Sequence, residues 1–181
     1  MRLNICLLLL AMLFSPSLFA QEVMKKNAER QAALMATAYA KGDYLTMARF
    51  THKKVVDMLG GPEKMASALK EKMAELAAKN VKLVSAETGE VMQMVHTATS
   101  EQCIIPQYVR MATPENKVYS RTHLLGISTD KGKTWHFLDA NGQTPEMING
   151  LVPDLSEELI IPKKEMKIDD ADQTPASKKT G

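Results

Sequence analysis

The hydrophobic pattern of the chain changes its period near residue 80, and this change limits the folds that the chain can adopt. Before that point, apolar residues recur at three- and four-residue steps, as in Met24, Ala28, Ala32 and Met35, which is the spacing of one face of an α-helix. After Asn80, side chains alternate with a period of two, as they do in β-strands. We therefore predict N-terminal helices followed by a sheet.

The helical half contains residues that commonly begin and end helices. A first helix is predicted over residues 22–40, and Gly42 follows it where a left-handed backbone favours glycine. Asp43 is placed to cap a short second helix. Gly60-Gly61 ends a further apolar turn, and Pro62 stands at a first helical position, which needs no N–H donor. The last of these helices is predicted to end at the change of period.

Short turns join the predicted strands of the second half. A turn at residues 114–117 precedes a long strand over residues 118–129, and a tight turn leads to a last strand over residues 134–139. Strands connected in this way form an antiparallel meander. Pro106 cannot donate a hydrogen bond to a neighbouring strand, so we expect an edge or a bulge that bends the sheet. The predicted fold class is α+β, a single domain with helices packed on a strongly curved antiparallel sheet.

The two ends of the chain differ in composition from the middle. Residues 1–20 carry Arg2 ahead of an apolar run, and Ala20 provides a small residue at the expected cleavage position, which is the layout of a secretory signal peptide. The apolar run is about half as long as a bilayer span. We therefore predict export, to the periplasm or out of the cell, with no membrane span in the mature chain. Residues 163–181 are polar and are predicted to form a disordered tail, which leaves residues 21–162 as the folded domain.

Composition argues against several classes of function. The whole chain carries 23 basic and 21 acidic residues, a balance that does not favour nucleic acid as a partner. Once residues 1–20 are removed, Cys103 is the single cysteine and has no partner for a disulfide. The histidines lack the spacing of a metal site; they are His52, His96, His123 and His136. The sequence predicts neither a metal nor a cofactor.

The segment Ser128–Trp135 reads STDKGKTW and matches the Asp-box hairpin of sialidases and other β proteins. Asp130 is placed to accept backbone N–H groups within the turn, and Gly132 to adopt a positive φ. Trp135 is placed to pack its ring on the hairpin. Sialidases repeat this box over several propeller blades, whereas this chain contains it once. We therefore interpret the segment as a structural turn.

Five side chains on the predicted strands are candidates for a small-ligand site, namely Gln107, Arg121, His123, Trp135 and Asp139. Gln107 and Asp139 each have apolar neighbours on their strand, which is the setting of a polar group in a ligand pocket. Arg121 and His123 share one parity, and they would alternatively belong to a solvated face, since antiparallel sheets commonly have one. No residue is predicted to be catalytic.

The order of elements resembles that of the nuclear transport factor 2-like superfamily, an α+β cone shared with ketosteroid isomerase and polyketide-cyclase relatives. The resemblance rests on the N-terminal helices, the phrase Ala40–Tyr44, the break Gly60-Gly61-Pro62 and the strands that end in Leu124–Ile127 and Trp135–Asp139. It covers residues 22–139 and is greatest to exported bacterial members of unassigned function. It implies a conical cavity between helices and sheet, and frequent dimerisation through the sheet.

The resemblance does not identify catalytic residues in this chain. The isomerase branch uses a tyrosine and two carboxylates in the cavity; Tyr39 or Tyr44, with Asp139, would fill two of these roles, but no motif fixes them. We therefore predict an exported, non-catalytic module that binds a small apolar or amphipathic ligand or pairs with a protein, for example as a homodimer. The alternative is a small cavity enzyme of isomerase, cyclase or hydrolase type, with Asp139 or His123 as the general base.

Overall fold

The computed structural model of the protein describes residues 16–170. The chain-order elements are α1 Pro16–Lys41, α2 Tyr44–Phe50, α3 Lys53–Met58, α4 Pro62–Ala78, β1 Lys82–Thr88, β2 Gln93–His96, β3 Glu101–Ala112, β4 Asn116–Ser128, β5 His136–Asp139, α5 Pro145–Leu151 and β6 Glu165–Asp170. The change from helix to strand falls between α4 and β1, at the change of hydrophobic period. Within residues 16–170, no helix combines the length and apolar character needed to cross a bilayer.

Local turn chemistry explains how the helices fold back on one another. Gly42 has a φ of +74°, so the chain can reverse directly after α1. The carboxylate of Asp43 then accepts a hydrogen bond from the backbone N–H of Thr46 at 3.0 Å and caps α2. Pro62 begins α4 after Gly61, whose φ is +105°. These turns let α2 pack against both α1 and α4.

All strand pairs described are antiparallel, and β3 and β4 form the centre of the sheet. β1 and β2 pair with different parts of β3, while β5 and β6 pair with different parts of β4. The register of β1 shifts between Leu83 and Ser85, and such a bulge increases the local bend. The helices are followed by a strongly curled antiparallel sheet, which confirms the α+β fold class predicted from the sequence.

Alternation along β3 and β4 gives the sheet an apolar layer on each face at the end where β5 lies. On one face Cys103, Ile105 and Leu124 pack with Trp135 against Ala32 and other residues of α1. On the other face, the residues of opposite parity are covered by α5 and the segment that follows it; this layer includes Ile104, Leu125, Leu151, Val152 and Leu159. This end of the sheet is therefore buried on both sides.

Side-chain amides hold the segment after α5 on the sheet. Gln102 accepts a hydrogen bond from the backbone N–H of Ser156 and donates one to the carbonyl of Asp154, both at 2.9 Å. Gln93 accepts from the backbone N–H of Ile160 at 2.9 Å and donates to the carbonyl of the same residue at 2.7 Å. These side chains take the place of a strand ladder, because residues 152–164 contain no strand.

The Asp-box turn has the structure that its sequence predicts. Asp130 accepts a hydrogen bond from the backbone N–H of Thr134 at 2.8 Å, and this bond is the main cause that lowers the pKa of Asp130 to about 2. Gly132 has a φ of +75°. The indole N–H of Trp135 donates to the carbonyl of Gly132 at 3.0 Å, and the side chain of Gln31 on α1 accepts the backbone N–H of Trp135 at 3.0 Å. The turn is therefore anchored to α1.

Strand β6 corrects the predicted start of a disordered tail at residue 163. Residues 165–170 pair with residues 116–121 of β4. Met166 and Ile168 alternate there with polar residues, and the edge of β4 supplies backbone hydrogen bonds that composition does not reveal. Residues 171–181, and residues 1–15 of the predicted signal peptide, lie outside the described residues. The predicted cleavage position after Ala20 falls within α1.

Candidate functional site

A cavity of about 450 Å³ lies between the helices and the curled sheet. The helices line it with Met35, Met47, Met65 and Leu69, and the sheet contributes apolar side chains that include Met111. This volume lies within the range of pockets that bind small molecules. We call this space, with its helix and strand walls, the cone cavity.

Strand register determines which sheet residues face the cone cavity. Gln107 lies opposite Thr122, and Met111 lies opposite Val118, and all four line the cavity. Because side chains on a strand alternate between faces, the intervening residues point to the outer face of the sheet.

The polar part of the lining is centred on Gln107 and Thr122, which are 8% and 6% exposed. The hydroxyl of Thr122 donates to the side-chain oxygen of Gln107 at 3.3 Å. Within residues 16–170, the amide nitrogen of Gln107 donates no hydrogen bond to another protein group. It is therefore available to an acceptor on a ligand in the cavity.

Two titratable residues among those lining the cone cavity are Tyr39 and Asp139. The hydroxyl of Tyr39 lies 3.7 Å from the sulfur of Met73, and burial raises the pKa of Tyr39 above its ordinary value, so the phenol stays protonated. Asp139 is exposed at the end of β5, and its carboxylate accepts a hydrogen bond from the backbone N–H of Asn141 at 2.9 Å. Tyr39 is thus a neutral donor inside the cavity, while Asp139 is a solvated anion at its rim.

The five candidate residues from the sequence lie in different places. Gln107 and Asp139 line the cone cavity. Arg121 lies on the outer face of the sheet, where it contacts Glu165 of β6. Trp135 is fully buried in the layer against α1, where its role is packing.

His123 is also fully buried, and it is not among the residues that line the cavity. Its Nδ1 lies 2.9 Å from the side-chain oxygen of Asn141. Because the Asn141 amide N–H donates to the carbonyl of Pro162 at 2.7 Å, the oxygen of that amide faces the imidazole, and Nδ1 is the donor. His123 and Asn141 therefore join β4 to the segment that leads into β6.

The methionines of the cavity wall were not among the candidate residues. Met35, Met47 and Met65 belong to the inward stripes of the predicted helices. A stripe of this kind marks the inner face of a helix, but it does not distinguish a packed core from a cavity wall. Only the separation between helices and sheet makes that distinction.

The thiol of Cys103 lies in the apolar layer between the sheet and α1. It is fully buried beside Gly126, and burial raises the pKa of the thiol well above its ordinary value. In the chain without residues 1–20, and therefore without Cys6, we expect the native protein to resist a thiol reagent such as dithionitrobenzoate, because the thiolate is the reactive form. The same reagent should react at once after the protein is unfolded in guanidinium chloride. Rapid, stoichiometric labelling of the native protein would contradict this placement.

No group of three or more His, Cys, Asp or Glu residues within the described range 16–170 is arranged to hold a metal ion. The lining of the cone cavity offers apolar walls, the Gln107 amide, the Tyr39 phenol and the Asp139 carboxylate at its rim.

Residues 27–148 match the model of a protein family described as the NTF2-like N-terminal transpeptidase domain. The match extends over more than half of the chain. The chain belongs to this family. Membership in this NTF2-like family confirms the superfamily that the sequence resembles. No curated protein and no solved structure was found to match the chain.

The range matched by the NTF2-like family contains both walls of the cone cavity, from Met35 on α1 to Leu124 on β4. It ends within α5, so β6 and the segment held by Gln93 and Gln102 lie beyond it. The cavity is therefore part of the domain common to the family, and β6 adds a further wall strand.

Proposed function

We propose that this NTF2-like domain is an exported, non-catalytic binding module that holds a small, mainly apolar ligand in the cone cavity. The observation that carries the proposal is the composition of the lining. Its walls are mainly methionine and aliphatic side chains, and its buried polar residues include the hydrogen-bonded pair Gln107 and Thr122. Ligand sites commonly combine apolar walls with a few polar groups that orient the ligand.

The lining also indicates the kind of ligand. Methionine side chains are unbranched and polarisable, so walls made of Met35, Met47 and Met65 adapt to ligands of different outline. The free amide N–H of Gln107 requires an acceptor when a ligand displaces water from it. A ligand with an apolar body and one carbonyl, ether or hydroxyl oxygen satisfies both requirements.

A small cavity enzyme is the alternative, and the placement of its two general-base candidates gives it less support. Asp139 is exposed and already accepts the N–H of Asn141, so it lacks the water-excluded surroundings of a catalytic carboxylate. His123 is buried away from the cavity lining. The family is described as an NTF2-like N-terminal transpeptidase domain, and the binding role is our own proposal.

Filling the cone cavity is expected to prevent binding. In Met65→Trp, the larger ring occupies space between α4 and the sheet, so the affinity for an apolar probe such as the dye ANS should fall at least about tenfold. Dye fluorescence and the ligand-induced rise in melting temperature measure the effect. Leu34→Trp is the matched control, because Leu34 is 46% exposed on α1. Equal affinities of the two variants, both folded by circular dichroism, would refute the cavity as the binding site.

A further inference from the structure

The outer face of the sheet carries a second depression, of about 500 Å³, opposite the cone cavity. A row of cross-strand neighbours lies along it, with one residue from each of β1, β3, β4 and β6. In order, these are Glu87, Tyr108, Arg121 and Glu165. The next row contains Arg110, Tyr119 and Lys167. We call this space the outer depression.

Arg121 has hydrogen-bonding capacity that the protein does not use. One terminal nitrogen lies 3.3 Å from a carboxylate oxygen of Glu165, and the other lies 3.9 Å from the sulfur of Met92. Strong charge-assisted bonds are about 2.7–2.9 Å long. The Nε of Arg121 is buried and has no partner among residues 16–170. A guanidinium has five N–H donors, so this group favours a ligand that brings an anionic acceptor.

The remaining charges of the outer depression are separated across the sheet. Arg110 stacks over the ring of Tyr119, with 5.9 Å between the guanidinium carbon and the ring centroid. Lys167 is the neighbour of Tyr119 on β6. Glu87, at the β1 side, forms no ion pair among the described residues. The carboxylate of Glu87, unpaired within residues 16–170, therefore lies at the β1 side of the depression, while Arg121 and Lys167 outnumber the single carboxylate of Glu165 at the β4–β6 side.

We propose that the outer depression is a second ligand site, which binds a short peptide with free termini. The peptide ammonium lies beside Glu87, and the peptide carboxylate lies beside Arg121. These residues are two strand spacings apart, about 10 Å, and an extended dipeptide or tripeptide spans about 7–10 Å. Tyr108 stands between them in the row and is 39% exposed, so its ring is available to an apolar peptide side chain.

The site is tested by titrating the full chain with the dipeptide phenylalanyl-alanine and its end-blocked forms, with amide chemical shifts as the readout. Amidation of the carboxylate should weaken binding at least about tenfold, since it removes a charged hydrogen-bonding partner. Arg121→Gln should lower the affinity for the free dipeptide by a similar factor and abolish the difference between free and amidated forms. Arg49→Gln removes an exposed cation on α2 and should leave binding unchanged.

A second variant keeps the test decisive if Arg121→Gln disturbs β6. Glu87→Gln changes an exposed residue on β1, and it should weaken binding of the free dipeptide while leaving the N-acetylated dipeptide unaffected. Equal binding of free and end-blocked dipeptides would overturn the proposal. So would shifts confined to Met35 and Met65 of the cone cavity, or competition by inorganic phosphate alone at equal affinity. Because the two sites lie on opposite faces, Met65→Trp should not alter dipeptide binding, whichever way the test of the cavity turns out.

Discussion

Replacement of Trp135 by alanine is expected to lower the free energy of unfolding by about 3–5 kcal/mol. The indole is fully buried in the layer between the sheet and α1. Its removal leaves a cavity there and removes one of two N–H donors to the carbonyl of Gly132, the one at 3.0 Å, while the donor from Asn27 remains. Domains are commonly stable by about 5–15 kcal/mol, so the loss is a large part of the total. Urea denaturation followed by far-ultraviolet circular dichroism measures it.

Met58→Ala is the control for this experiment, because that side chain is 74% exposed. A surface change of this type should alter stability by no more than about 0.5 kcal/mol. If Trp135→Ala were as stable as Met58→Ala, the Asp-box turn would not be anchored in the core as described.

The second large effect is expected for Gly126→Ala, at the centre of β4. A Cβ at residue 126 would lie 2.8 Å from the sulfur of Cys103 and 2.9 Å from a ring carbon of Phe137. These residues are its direct neighbours on β3 and β5, and both are fully buried. Because neither has free space to move into, we expect a loss of about 1–3 kcal/mol in the free energy of unfolding, measured by urea denaturation.

Two further variants identify the cause of this loss. In Gly142→Ala the added methyl group would have no atom within 4 Å, so it controls for the change in chain entropy alone. In the Gly126→Ala background, Cys103→Ala removes the closest contact, and the double variant should recover part of the stability, with a measurable coupling between the two sites. Strictly additive losses would show that the close approach is not the cause.

The boundary between helices and sheet was predictable because both sides of it are periodic over many residues. α4 ends at Ala78 and β1 begins at Lys82, within two residues of the change at Asn80. The Asp-box turn was predictable for a related reason. Its hydrogen bonds to Asp130 come from residues close to it in the chain, so the local sequence contains the whole interaction.

The position of the cavity could be predicted only in part. The alternation of side chains places Gln107 and Met111 on the same face of β3, and it places Tyr119 and Arg121 on the same face of β4. It does not tell which group faces the helices, because that depends on where the helices pack. Arg121 was therefore a candidate for the cavity, although the structure places it on the outer face.

The strand β6 shows a different limit of sequence analysis. Polar residues dominate the chain after residue 163, and an isolated segment of that composition does not bury enough surface to fold. Its pairing partner is the edge of β4, at residues 116–121, far away in the chain. Met166 and Ile168 were the signal that could have been used, since their spacing is that of a strand with one apolar face.

The side-chain hydrogen bonds of Gln93 and Gln102 to the segment after α5 affect how the protein opens on warming. Because side-chain hydrogen bonds, including those of Gln93, Gln102 and Ser100, hold the segment after α5 in place of a strand ladder, we expect this segment to detach as a separately opening unit while the sheet remains intact. Detachment of the segment would expose the apolar surface formed by Ile104 and Leu125. Exposed apolar surfaces of this kind associate, so two protein molecules opened in this way would bind each other. We therefore expect Gln93 and Gln102 to help prevent self-association of the folded protein at temperatures below its melting point.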